Sequence, residues 1–210
     1  MNLRRLATQR YSQLLIGLVL YGIGIGMILR AGLGVAPWDV LSQGIDVHTG
    51  WGFGVITVLL SGIVLLLWIP IRQRPGIGTV LNALIVGPAA ELGLWLIPTG
   101  LELWLRIVLL SGGILTIAVA TGLYIGADRG PGPRDGLMTG LVARTGLPIW
   151  LVRTTLEGTV LLIGWLLGGS VGIGTLAFAL LIGPLCGLTI PLFSLPPVSA
   201  TPADEELVAT

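Results

Sequence analysis

The sequence predicts an all-α membrane protein of six transmembrane helices. They form two three-helix repeats of inverted topology, each with a short broken or interfacial helix after its first span. Three observations predict this. Of 210 residues, 54% are hydrophobic and only 10% charged, against about 25% charged in a soluble domain, so the polar groups cannot cover a water-facing surface. Six apolar runs are long enough to cross a hydrocarbon core, which takes about 20 helical residues. The two halves of the chain also repeat one another's Gly and Pro positions at one fixed spacing. Disorder is excluded by the apolar content.

The runs are residues 11–29, 51–69, 77–97, 105–125, 147–167 and 173–193. They are apolar all round, without the polar–apolar alternation of a barrel strand, so each reads as a helix. The first follows Arg4, Arg5 and Arg10. It is longer than the apolar part of a signal peptide and lacks an A-x-A-like cleavage site, so it counts as a span. The chain then divides into an N-terminal segment (1–10), a first repeat (11–97), a second repeat (105–193) and a tail (194–210) expected to be disordered.

Orientation follows from the arginines. With the N-terminus inside, the inner segments hold Arg4, Arg5, Arg10, Arg72, Arg74, Arg129, Arg134 and Arg144, and the outer ends hold only Arg30 and Arg106. Both termini are therefore expected in the cytoplasm, including the tail with Asp204, Glu205 and Glu206.

The repeat is gapless at an offset of 96 residues. Pro37-Trp38-Asp39 aligns with Pro133-Arg134-Asp135, Thr49-Gly50 with Thr145-Gly146, Gly76-Ile77-Gly78-Thr79 with Gly172-Ile173-Gly174-Thr175, and Gly87-Pro88 with Gly183-Pro184. Three spans per half is an odd number, so the second half starts from the opposite side, as in many secondary transporters. Leu33, Trp38 and His48 in the outer connector correspond to Arg129, Arg134 and Arg144 in the inner one, so charge follows the side of the membrane. Each connector is a Gly-rich lead, then Pro in a helix's first turn with Asp two residues on, which suits the positive N-terminal dipole. The two short helices, 37–48 and 133–144, would be about 18 Å long. That is too short to span, so each lies at the interface or dips in as a half-helix.

Three stretches carry a resemblance: Arg30-Ala31-Gly32-Leu33-Gly34 running on to Pro37-Trp38-Asp39-Val40-Leu41, Arg72-Gln73-Arg74-Pro75-Gly76-Ile77-Gly78-Thr79 with Asn82, and Gly130-Pro131-Gly132-Pro133-Arg134-Asp135-Gly136-Leu137. They resemble the YczE/YyaS/YitT-like bacterial membrane proteins over nearly the whole chain. The resemblance implies a multi-pass protein of the bacterial inner membrane. It brings no settled substrate or catalytic residues, and it links some members to control of secondary-metabolite production.

The candidate site residues are the ionisable groups inside the spans and at the short helices. Glu157 lies about 15 Å into its span, near the centre of a core about 30 Å thick, where an ionisable group reads as functional. Arg153 is one turn away and can pair with it; a structural strut is the plainer reading of the pair. Glu91 is the other carboxylate within a span, and follows Gly87-Pro88. Asp39 and Asp135 are repeat mates that either cap their helices or face a ligand. Trp38 and Arg134 share one aligned position and are read as an interfacial anchor and a positive-inside residue, or as part of a polar path with Gln43 and Thr139. His48 suits a helix C-terminus, Asn82 an interhelical hydrogen bond, and Cys186 plain packing. Glycines four apart, such as Gly22/Gly26, Gly122/Gly126, Gly164/Gly168 and Gly183/Gly187, read as close-packing faces.

Composition removes several chemistries. With one Cys and one His, neither a disulfide nor a Cys/His zinc site is expected. All eleven basic residues are Arg, which leaves no Schiff-base or P-loop lysine. A formal net charge of +1 gives no reason to expect a nucleic-acid partner. No H-E-x-x-H or G-x-S-x-G motif occurs, so an enzyme is not expected, and no cofactor. The expected partners are the lipid bilayer and a small solute or proton, with a homodimer or a membrane-protein partner open. The leading reading is a secondary-transporter-like permease for a small solute. The alternative is a non-transporting regulator that binds a partner protein.

Overall fold

The computed structural model describes residues 3–195, with side chains from Ala7 onward. The expected tail with Asp204, Glu205 and Glu206 lies outside the described residues, as do the side chains of Arg4 and Arg5. The described residues form eight helices and no strand: α1 (Leu3–Ala31), α2 (Pro37–Thr49), α3 (Phe53–Ile71), α4 (Ile77–Leu96), α5 (Leu103–Gly126), α6 (Pro133–Thr145), α7 (Ile149–Leu166) and α8 (Ile173–Phe193). Six of them are long and apolar enough to cross a membrane: Ala7–Ala31, Phe53–Ile71, Ile77–Leu96, Leu103–Gly126, Ile149–Leu166 and Ile173–Phe193. This is a multi-pass integral membrane protein. The ends of five spans differ from the expected ones by a few residues. α2 and α6 each run one residue beyond the expected short helix and stop at Gly50 (φ 67°) and Gly146 (φ 68°), where the left-handed conformation favours glycine.

α1 and α5 form the centre. A Cβ on Gly17 would lie 2.9 Å from the Tyr124 backbone nitrogen, one on Gly24 2.7 Å from Ile117 Cγ1, and one on Gly113 2.7 Å from Ile28 Cγ1. Rising numbers on α1 meet falling numbers on α5, so the pair is antiparallel. Water is not available to drive helices together in a bilayer, and small residues that let backbones approach are the substitute. α4 lies against α1 in parallel, with Gly22 and Gly26 facing Val86 and Ala90, and α8 lies against α5 in parallel, with Gly122 and Gly126 facing Thr189 and Phe193. Leu14, Leu18, Ile25, Ile114 and Ile117 fill the seam between them.

The short helices pack crosswise between the halves. Gly164 of α7 faces the Leu41 backbone of α2, and Gly136 of α6 faces the indole of Trp68 on α3, whose Nε1 donates to the Pro133 carbonyl at 3.0 Å. Trp68 is only 1% exposed. Not every expected glycine face is used. Gly87 closes on Gly54 so tightly that a Cβ there would sit 2.4 Å from the Gly54 carbonyl oxygen, whereas Gly183 and Gly187 have nothing within 4 Å. In the second half, 96 positions on from Gly54, stands Trp150, so the glycine that receives Gly87 has no counterpart there.

Irregular backbone inside a membrane protein must find internal partners, and the two connectors do so in matching ways. Gly78 N–H donates to the Arg129 carbonyl at 2.8 Å, and Gly174 N–H donates to the Leu33 carbonyl at 2.7 Å. Gly34 (φ 105°) and Gly130 (φ 110°) make the turn that allows it. Arginines close the ends of α1 and α5: Arg106 Nε donates to the Ala31 carbonyl at 2.6 Å, and Arg10 Nη1 to the Ala127 carbonyl at 3.3 Å. A cation at a helix C-terminus also meets the negative end of its dipole. Arg10, expected as a flanking charge, is thus an interior strut, 2% exposed and 3.3 Å from Asp128.

Candidate functional site: the cavity between the short helices

Each connector runs extended from the end of a long helix and then turns into a short one. Val35, Ala36, Pro37 and Asp39 in the first are all buried, as are Gly132 and Pro133 in the second. The N-terminal ends of α2 and α6 therefore meet inside the bundle. Arg134 Nη1 donates to Asp39 Oδ1 at 3.1 Å, and its guanidinium lies 5.4 Å from the centre of the Trp38 ring. The aligned positions 38 and 134 thus touch one another.

Beside this junction is a cavity of about 230 Å³. Its wall includes Tyr21 of α1, the start of α2 with Trp38 and Asp39, Thr121 and Tyr124 of α5, Arg134 and Asp135 of α6, Arg153 and Glu157 of α7, and Phe178 and Cys186 of α8. Tyr21 is about 15 Å along α1 from Ala31, so the cavity reaches mid-depth. It extends past Ile125 and Ile190, toward the end where α5 and α8 finish. Six of the seven predicted site residues line it.

The charged groups are held differently. Asp39 is buried and bound by Arg134. A carboxylate out of water needs such a partner. Arg153 Nε donates to Glu157 Oε1 at 3.0 Å, as the spacing predicts, but the two side chains are 49% and 29% exposed, so they rim the cavity instead of lying sealed within the bundle. Asp135 accepts a hydrogen bond from the Tyr124 hydroxyl at 2.7 Å. Neither Asp caps its helix by a side-chain bond. Arg134 is no surface charge either. Of its two readings, a positive-inside residue or part of a polar path, the place in the cavity wall fits the second.

Glu91 stands apart. It accepts a hydrogen bond from Gly54 N–H at 2.9 Å and lines a separate, mainly apolar cleft of about 860 Å³ between α3 and α4, with Arg30, Trp51 and Trp95. Arg30 donates to the Leu94 carbonyl nearby. Asn82 lines a third, small space of about 40 Å³ next to Thr57, Ser61 and Asp135. Sequence reading missed Tyr21 and Tyr124, whose rings meet edge to face at 5.9 Å. The signal was present: both tyrosines lie well inside apolar runs, where a phenol hydroxyl seeks a partner. Cys186, read as packing, lines the cavity because α7 does not close over it. Among the described residues no group of three or more His, Cys, Asp or Glu is placed to hold a metal ion.

The chain is 42% identical over 172 residues to an uncharacterized protein of Haemophilus influenzae, covering 82% of this chain and 79% of that one. It is 28% identical over 184 residues to the uncharacterized membrane protein YczE of Bacillus subtilis, covering 87% and 86%. It is 26% identical over 187 residues to the uncharacterized protein YyaS of the same organism, covering 87% and 93%. No solved structure matches. The YczE- and YyaS-like kinship expected from the connector motifs is thereby shown. Residues 8–191 match the family of unknown function DUF6198, and the chain belongs to it.

Proposed function

We propose that this protein is a small secondary-transporter-like permease of the bacterial inner membrane, not an enzyme. Both termini are cytoplasmic, and its halves are related by a two-fold axis in the membrane plane. The observation that carries the reading is the cavity: Asp39, Arg134 and Asp135 gather where the N-termini of two half-helices meet, with Arg153 and Glu157 at its rim, the arrangement in which transporters hold their solutes. An ionisable group within the membrane is costly and is a mark of a pathway.

The axis has its own support. Contacts come in exchanged pairs at the 96-residue offset: Gly78 with Arg129 and Gly174 with Leu33, Arg106 with Ala31 and Arg10 with Ala127. Antiparallel packing of α1 and α5 supports an axis that runs across the helices. The halves also differ where alternating access needs a difference. α3 and α4 close on Gly54 and Gly87, while no comparable packing joins α7 to α8 and the cavity lies open beside them. Exchange of these two arrangements would expose the cavity to the other side.

Uptake into proteoliposomes, screened over a metabolite library with and without a pH gradient, tests the reading. The expected result is transport by the wild type and loss of any proton-coupled component in Glu157→Gln, with normal membrane expression and an unchanged thermal midpoint. Absence of transport together with a co-purifying partner protein would replace the permease by a membrane regulator.

A further inference from the structure

The repeat exposes an imbalance in the cavity. Arg134 neutralises Asp39. Under the exchange of halves, Asp39 becomes Asp135 and Arg134 becomes position 38, so an arginine at 38 would neutralise Asp135. Position 38 is Trp. Asp135 has the Tyr124 hydroxyl at 2.7 Å but no arginine within ion-pair distance among the described residues, where the three ion pairs are Arg10–Asp128, Arg134–Asp39 and Arg153–Glu157. The charged groups of the wall are thus two arginines against three carboxylates, with Asp135 left over. Where the missing guanidinium would stand, the wall offers an indole, and Tyr21 and Phe178 add aromatic surface.

We propose that the cavity binds a small organic monocation of the alkylammonium type, with Asp135 as its counter-ion and aromatic rings as its walls. This names the ligand class of the same cavity and so rests on the permease reading. The chemistry is complementary on each count. A cation restores the charge balance at Asp135, a half-buried carboxylate with no arginine partner among the described residues. Ring faces attract cations through their quadrupoles, and aromatic-lined sites suit ammonium groups that cannot donate many hydrogen bonds. A volume of about 230 Å³ lies under the about 300 Å³ at which drug-sized sites begin, so the occupant is metabolite-sized. An anion would meet the excess carboxylate, because both arginines already hold one.

The test uses three molecules of one shape: choline, its neutral analogue 3,3-dimethylbutan-1-ol, and the anion 3,3-dimethylbutyrate. Each is titrated onto the purified full-length protein in detergent at constant ionic strength, with the thermal unfolding midpoint as readout. Choline is expected to raise the midpoint in a saturable way, and the other two to leave it unchanged. Asp135→Asn should weaken the apparent affinity about thirtyfold or more. Trp38→Arg should do the same by supplying the missing guanidinium, and it keeps the proposal testable should Asp135→Asn fail to fold. Glu102→Gln, in the exposed loop before α5, should bind as the wild type does. Stabilisation by the anion and not by choline overturns the proposal, and so does a choline effect that survives both cavity variants. Uptake in proteoliposomes separates the two readings. Choline bound but not carried removes the permease and keeps the site, whereas transport of an anion without choline binding does the reverse.

Discussion

Of the two readings its sequence context allows, a positive-inside charge or part of a polar path, Arg134 takes its place in the cavity wall, and its partner makes it the residue with the most to lose. Its guanidinium holds the buried Asp39 at 3.1 Å. Removing one member of a buried pair strands the other charge, at a cost of about 3–5 kcal/mol. Arg134→Ala should therefore lower the thermal midpoint sharply, and Asp39→Asn added to it should recover more than half of the loss. A double-mutant cycle in detergent measures this. Additive effects of the two changes would show that the pair is not the link between α2 and α6. Arg153 and Glu157, at 49% and 29% exposure, gain far less from pairing, so their loss should be felt in activity before stability.

At the scale of the element, α3–α4 and α7–α8 carry the same repeat pattern and pack differently. Gly54 admits the close approach of Gly87, whereas the matching place holds Trp150 and Gly183 meets no neighbour within 4 Å. Gly87→Ala would put a methyl 2.4 Å from the Gly54 carbonyl oxygen, while Gly183→Ala would meet nothing within 4 Å. The first should destabilise by about 1–3 kcal/mol through overpacking. The second should stay within about 0.5 kcal/mol of the wild type, as changes in open space do. Thermal unfolding of the two single variants side by side decides this, and equal loss in both would mean that α7 and α8 pack together in the folded protein. Pro88 and Pro184 lie inside α4 and α8 without ending them.

At the scale of the whole molecule, the two connectors and the arginine count make one joint prediction. Reporter fusions or cysteine labelling should place Asp46, in the last turns of α2, outside, and Arg144, at the end of α6, inside. If both report from one side, the axis lies along the membrane normal and the proposed inverted relation is wrong. The internal contacts press toward opposite sides, since antiparallel α1 and α5 carry the two connectors at opposite ends of the bundle.

Much of this was legible along the chain. Six spans follow from hydrophobic length alone, because a bilayer sets the number of apolar residues a helix needs. The two short helices follow from Pro37 and Pro133 at their starts and Gly50 and Gly146 at their ends, since helix termini are local events. The i,i+4 geometry of Arg153 and Glu157 is likewise local. Tertiary structure alone decided the rest. Nothing along the chain says that Arg134 crosses to Asp39, 95 residues away, or that Tyr124 reaches Asp135, because a re-entrant segment and a surface loop share one composition. Nor does it say that Glu91, equal to Glu157 as a carboxylate in an apolar span, falls in a different cleft. A helix face is chosen by what packs against it, and that is a property of pairs of helices, not of either one.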